Sequence, residues 1–179
     1  MIWVSGDTHL GHVGIIGSCN RPFQNVEEMN KTIIDGFNDR VGKNDIVYFL
    51  GDFTCNANTE ICKEYMRQLK GKWVMIQGNH DRKKALQEMK SEGLIIKHDK
   101  IMKIEYGGRK MVLSHCPMVT WEGIYDGVWH IHGHTHSNYN HPSPMAYDVG
   151  VDGHNFLPIS FDELNTIMVR RWLATGMQR

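Results

Sequence analysis

The chain has 179 residues, 41% hydrophobic and 22% charged, ordinary values for a soluble globular protein with a buried core. Formal net charge is zero, so no global field recruits nucleic acid or an acidic membrane, and any anion site must be local. Met1 to Asp7 carries no basic region, no apolar run is long enough to span a bilayer, and Cys19, Cys55, Cys62 and Cys116 form no CxxC pair; a cytoplasmic chain with free thiols is expected.

The apolar pattern alternates between short strands and amphipathic helices. Ile2 to Ser5 reads as a strand. Asn25 with Glu28 has the form of a helix N-cap and capping-box glutamate, and Met29, Ile33 and Phe37 follow at helical spacing. Asp45 to Leu50 is a continuous apolar run, expected of a central strand covered on both faces, and it stops at Gly51-Asp52. A second helix is expected from Asn58 or Thr59, with Ile61, Tyr65, Met66 and Leu69 inward and Gly71 at its end. Trp73 to Ile76 is the next strand, stopping at Gly78-Asn79-His80-Asp81, and Lys83 to Ser91 can form a short helix.

Lys100 to Tyr106 and Lys110 to Ser114 flank Gly107-Gly108 as a hairpin that ends at His115. Val128 to Ile131 is a strand stopping at His132-Gly133-His134. Tyr147 to Val151 and Phe156 to Ile159 read as a closing hairpin around Asp152-Gly153. Ser160 with Glu163 is a further capping box, opening a helix with Leu164, Ile167 and Met168 inward. No linker or repeat divides residues 1–179, which read as one domain.

Nearly every expected strand ends in Asp, Asn or His. In α/β sheets ligands collect beyond the carboxyl ends of strands, so these residues are candidates for one shared site. The segments are Asp7-Thr8-His9, Gly51-Asp52, Gly78-Asn79-His80-Asp81, Ser114-His115 and Gly133-His134-Thr135-His136. Imidazole, carboxylate and amide oxygen together suit Mn²⁺, Zn²⁺, Fe²⁺ or Ni²⁺ better than Ca²⁺. Singly, an Asp before a helix is usually a cap and a strand-end His a satisfied surface group; as an ordered set they are not.

That order of blocks, from Asp7 to His136, resembles the calcineurin-like metallophosphoesterase superfamily, and Asp-Thr-His-Leu-Gly-His followed by Arg21-Pro22-Phe23 is similar to compact phosphoesterases of bacteria and their phages. The resemblance implies an α/β fold, a four-layer α-β-β-α sandwich of two mixed sheets flanked by helices. It implies a first metal held by Asp7, His9 and His136, a second held by Asn79, His115 and His134, and Asp52 bridging both. Two divalent ions, of which manganese is the first expectation, would activate a bridging hydroxide against a phosphate ester. His80 would face the substrate and protonate the leaving alkoxide. With Asp7, Asp52 and a hydroxide opposing two dications, about one positive charge is left to attract phosphate.

A site with little chain left over for capping domains is open, which leans toward phosphodiesters, such as a nucleotide or oligonucleotide, over monoesters. The other readings are a phosphomonoesterase and a metal-binding scaffold without catalysis. Arg21 and Arg82 are candidate phosphate contacts, with surface salt bridges the ordinary alternative. His12, His130 and His132 lie near site segments without matching a ligand position, and His12 is a candidate substrate contact. His98, His141 and His154 are read as structural or solvated, and the aromatic Trp121 to Gly127 loop as packing or a pocket wall. Neither Asn20 nor Cys55, near candidate loops, has an assigned mechanism.

Overall fold

A computed structural model describes residues 1–55 and 57–175. In chain order its elements are β1 (Ile2–Ser5), α1 (Val13–Ser18), α2 (Val26–Arg40), β2 (Ile46–Phe49), α3 (Thr59–Arg67), β3 (Lys72–Ile76), α4 (Lys83–Ser91), β4 (Lys97–Asp99), β5 (Ile101–Tyr106), β6 (Arg109–Ser114), β7 (Trp129–His132), β8 (Ala146–Asp148), β9 (Ile159–Ser160) and α5 (Phe161–Leu173). They build two mixed sheets, ordered β4-β3-β2-β1-β9 and β5-β6-β7-β8. In the first, β1 to β4 run parallel and β9 is antiparallel; in the second, β5 is antiparallel to the parallel β6-β7-β8.

Strand alternation divides the apolar residues of the first sheet between two cores. Trp3, Val47 and Trp73 form one row across β1, β2 and β3, and pack against Met29, Ile33 and Phe37 of α2 with Met66 and Leu86 of α3 and α4. Phe37 stacks on Trp73 with ring centroids 5.9 Å apart. The opposite face, with Val4, Val74 and Ile76, meets Met111, Leu113, Trp129 and Ile131 of the second sheet and Leu164 and Met168 of α5. Truncating a fully buried ring such as Phe37 to alanine costs roughly 3–5 kcal/mol, so these rows hold the two layers together.

Local signals set most of these boundaries. Asn58 caps α3 by accepting from Ile61 N at 3.0 Å, and Ser160 and Glu163 close a reciprocal capping box on α5. Four readings need correction. Asn25 does cap α2 by accepting from Glu28 N, but the Glu28 carboxylate accepts from Gln24 N rather than from Asn25 N, so the box is not reciprocal. On α3 Met66 is buried and Tyr65 and Leu69 pack against the core as expected, but Ile61 is exposed and the face also holds Cys62 and Lys63, whose ammonium reaches Glu60, Glu88 and Glu92. β7 extends through His132, whose ring is buried.

The fourth concerns the expected closing hairpin. Its two arms join different sheets: β8 pairs with β7, and β9 pairs with β1. A 3₁₀ turn at Val151–Gly153 carries the chain between them, so Ala146 and Val149 from one arm and Ile159 from the other enter the core between the sheets from opposite sides. Two short elements, α1 and β4, had no periodic signal strong enough to be expected. No described helix is long and apolar enough to cross a membrane, and Cys19, Cys55, Cys62 and Cys116 form no disulfide.

Candidate metal centre

The carboxyl ends of β1, β2, β3, β6 and β7 open onto one edge of the sandwich. Asp7 N donates to Gly51 O at 2.9 Å, Gly133 N to His115 O at 3.0 Å, and Gly6 bridges Gly150. These links draw the tips of both sheets together. Asp7, His9, Asp52, His134 and His136 all have positive φ, between 49° and 71°, five of the nine described non-glycine residues that do. A residue held in this region costs of order 1–3 kcal/mol, a strain typical of functional sites. Glycines admit the close approach: a Cβ on Gly133 would meet Asp7 Oδ2 at 2.5 Å, and one on Gly78 would collide with Asp52 Oδ1.

Two groups of donors result. In the first, ligand atoms of Asp7, His9 and His136 all lie within 4.8 Å of one another. In the second, His115 Nε2 stands 2.8 Å from Asn79 Oδ1 and 3.1 Å from His134 Nδ1. Donors about 2.1 Å from a shared ion in adjacent positions lie about 3 Å apart, so this spacing suits one cation. Asp52 stands between the groups: its Oδ2 is 3.5 Å from His9 Nε2 and 3.3 Å from His115 Nε2, while its Oδ1 accepts from His80 N at 2.8 Å.

Unpaired atoms point to the same places. Asp7 Oδ1, His9 Nδ1 and His9 Nε2 are buried with no hydrogen-bond partner among the described atoms. Such groups are costly in a protein interior unless something compensates them, and a cation fits this carboxylate and imidazole set. Burial pushes the Asp7 carboxyl up to about 7, against the pull of His115 and His136, with Asp148 and Asp52 adding to the rise. Burial lowers His9 to about 3, so its ring is neutral and its lone pair is open to a metal. Burial also works against a charged His115, but the Asp52 bond, the Asp52 and Asp7 charges and the Leu50 carbonyl outweigh it and raise the group to about 9. The site thus demands positive charge at the position of His115, and a metal can supply it in place of the proton.

Supporting residues fix the ligand rings. With His115 Nδ1–H donating to Leu50 O at 2.8 Å, Nε2 is left facing Asn79. Three of these residues had no role assigned from sequence. Asp81, alone readable as a cap, accepts from Asp52 N, Phe53 N and Gly78 N, clamping the β2 and β3 tips together. Asp152 accepts from His136 Nδ1 at 2.8 Å, and Asp148 holds Thr135 Oγ1 and Ser137 N on the loop between. The only signal for the last two was their place in a glycine-rich run, Asp148-Val149-Gly150-Val151-Asp152-Gly153.

Among the expected substrate contacts, Arg21 is corrected. It is 4% exposed, and its fork donates to both oxygens of Asp152 and to the carbonyls of Asp7 and Thr8, which leaves nothing for substrate. Arg82 is exposed at the N-cap of α4. His12 is half-buried, its ring 5.5 Å from that of His9 and 6.3 Å from that of His80, at the site's margin. His80 is half-buried, 5.3 Å from the His9 ring, with Nδ1 3.5 Å from Cys55 Sγ. His130, His132 and His141 instead cluster behind the second sheet, beside Trp121, which packs its ring 5.0 Å from His130.

Comparison with known proteins bears on the family and the fold. The sequence profile of the calcineurin-like phosphoesterases matches residues 1–138. An uncharacterized protein of Methanocaldococcus jannaschii is 39% identical over 168 residues, covering 90% of this chain and 87% of that one. The Gene 66 protein of Mycobacterium phage L5 is 27% identical over 190 residues, covering 90% and 91%. Among solved structures, a protein of unknown function from Aquifex aeolicus superposes with a TM-score of 0.71 at 24% identity over 93% of this chain and 98% of its own. An archaeal phosphodiesterase shares the fold more distantly, with a TM-score of 0.53 at 21% identity over 83% and 81%.

Proposed function

The chain belongs to the calcineurin-like phosphoesterase family, and we propose that it is a two-metal hydrolase of phosphate esters that prefers diesters to monoesters. The observation that best supports this is Asp52 Oδ2, poised between His9 of one donor group and His115 of the other. Asp7, His9 and His136 would hold one ion, Asn79, His115 and His134 the other, and Asp52 both. When bound, the two ions supply Lewis acidity to the phosphoryl oxygens and acidify the attacking water. Manganese is the first choice, with iron, zinc or nickel as alternatives, because nitrogen and oxygen donors are mixed.

The chain's own part in the reaction falls to His80. Its backbone is fixed by the bond from His80 N to Asp52 Oδ1, so the ring is held at a set distance from the bridging carboxylate. With Nδ1 beside Cys55 Sγ, Nε2 is the nitrogen available to give a proton to a departing alkoxide. Asn79 and His134 are exposed, so the site opens to solvent and admits an ester with two arms, a nucleotide or oligonucleotide among them.

Turnover of bis-p-nitrophenyl phosphate against p-nitrophenyl phosphate, with Mn²⁺, Zn²⁺, Ni²⁺ or Fe²⁺ added, tests the reading. Faster diester hydrolysis is expected. A preference for the monoester makes the protein a phosphomonoesterase, and no turnover with any of the four metals makes it a binding scaffold.

A further inference from the structure

The register of the outer hairpin sets a cation beside the second donor group. Ile101 of β5 faces Ser114 of β6, which places Lys100 opposite His115. Lys100 is also the single residue between β4 and β5, the edge strands of the two sheets. Where those edges part, a cavity of about 440 Å³ runs from Asn79 and His115 past Lys100, Ile101, Pro117 and Met118. Its apolar wall is open, since Ile101 is 50% exposed.

The charge there is available. Lys103, further along β5, is paired with Glu122, whereas Lys100 forms no salt bridge among the described residues. The adjacent Asp99 spends one carboxylate oxygen on the Lys100 amide, at 2.8 Å. The position of His80 then distinguishes the two sides of the centre. Its ring leans against His9 and His12, and none of these three lines the cavity. His80 and the groove thus lie at different sides of the donor groups.

We propose that this groove receives the retained arm of a phosphodiester, and that Lys100 pairs with a further phosphate on that arm. The preferred substrates are then nucleotide or oligonucleotide diesters, with sugar or base lying on Ile101 and Met118. A monoester leaves the groove empty. This assignment rests on the phosphoesterase reading of the site, and it adds the substrate class and the residue that selects it.

Thymidine 5′-p-nitrophenyl phosphate and its 3′-phosphorylated form differ only in the phosphate assigned to Lys100. The manganese-loaded wild type is expected to favour the 3′-phosphorylated ester in kcat/KM by about three- to fivefold, the range of an exposed ion pair. Added salt should erode that margin. Lys100→Gln should abolish it and Lys100→Arg retain it, the ratio being read between the two thymidine esters within each variant. No preference in the wild type, or one that survives in Lys100→Gln, overturns the groove assignment alone. Failure to hydrolyse either thymidine ester or bis-p-nitrophenyl phosphate overturns the phosphoesterase reading. Calorimetry then judges the groove: thymidine 3′,5′-bisphosphate must bind more tightly than thymidine 5′-phosphate, and equal affinities, or a margin kept in Lys100→Gln, overturn it.

Discussion

One carboxylate joins Arg21 and His136: Asp152 accepts from Arg21 Nε and Nη2 at 2.8 Å each and from His136 Nδ1 at 2.8 Å. The same guanidinium donates to the backbone carbonyls of Asp7 and Thr8, at 2.7 and 2.9 Å. One buried fork therefore braces both segments that carry the first donor group, Asp7 to His9 directly and His136 through Asp152, which sets the His136 tautomer so that Nε2 faces inward.

Arg21→Ala strands a buried carboxylate and is expected to cost roughly 3–5 kcal/mol, read as a drop in the urea midpoint of the metal-free protein. Asp152→Asn keeps the shape but loses the charge, and should weaken one of two ions about 10- to 100-fold. Titration of the two sites with Mn²⁺ checks this. Equal weakening of both would show that Asp152 does not act through His136.

Asp52→Ala should remove both ions, because one oxygen serves two donor groups, whereas His136→Ala should remove one. Elemental analysis of the purified variants reads the stoichiometry directly. Retention of a full metal complement in Asp52→Ala would rule out the bridging role.

His80→Ala should keep its metals and lose about 10²–10⁴ in rate on alkyl diesters, whose leaving groups need a proton. The loss should shrink toward p-nitrophenyl esters, whose phenolate leaves unaided. A leaving-group series in wild type and variant gives the test: parallel dependence on leaving-group acidity contradicts proton donation.

His130 lies at the back of the second sheet, 0% exposed. Nδ1 pairs with Val112 O at 3.2 Å while Nε2 accepts from Met118 N at 3.0 Å, so the folded protein uses the neutral ring. Burial, with the neighbouring His132 and His141, lowers the group to about 4 despite the Val112 carbonyl. An unfolded histidine protonates near 6.5, so between about pH 6.5 and 4 the unfolded state binds the extra proton and stability falls with falling pH. The contribution is at most about 3 kcal/mol. Urea unfolding of the metal-free protein across that window should show a slope that His130→Phe reduces, whatever fixed cost the unpaired Met118 amide adds. An unchanged slope would place the acid sensitivity elsewhere.

Sequence and structure part company where a residue's role depends on a distant partner. Asp7, His9, Asp52, Asn79, His115, His134 and His136 stand out as candidates because each lies in a segment just past an expected strand, and strand ends follow from local pattern. The capping box at Ser160 and Glu163 and the hairpin at Gly107-Gly108 were legible for the same reason. β8 and β9 were misjudged as partners because alternation marks a strand without saying which sheet receives it. Arg21 looked like a phosphate contact because an arginine beside a ligand motif has the right chemistry, and nothing local reveals that its fork is already full.

Composition and order alone therefore determined the donor chemistry: neutral imidazoles, two carboxylates and an amide at the tips of strands, in a chain with no net charge to offer elsewhere. The tertiary structure decided which donors stand together, which ring nitrogens are already bonded, and which polar groups are already satisfied. Those questions turn on hydrogen-bond distances between segments as far apart as Arg21 and Asp152, 131 residues along the chain. A bond of 2.8 Å is a property of folded space, and residue order constrains it only through the fold.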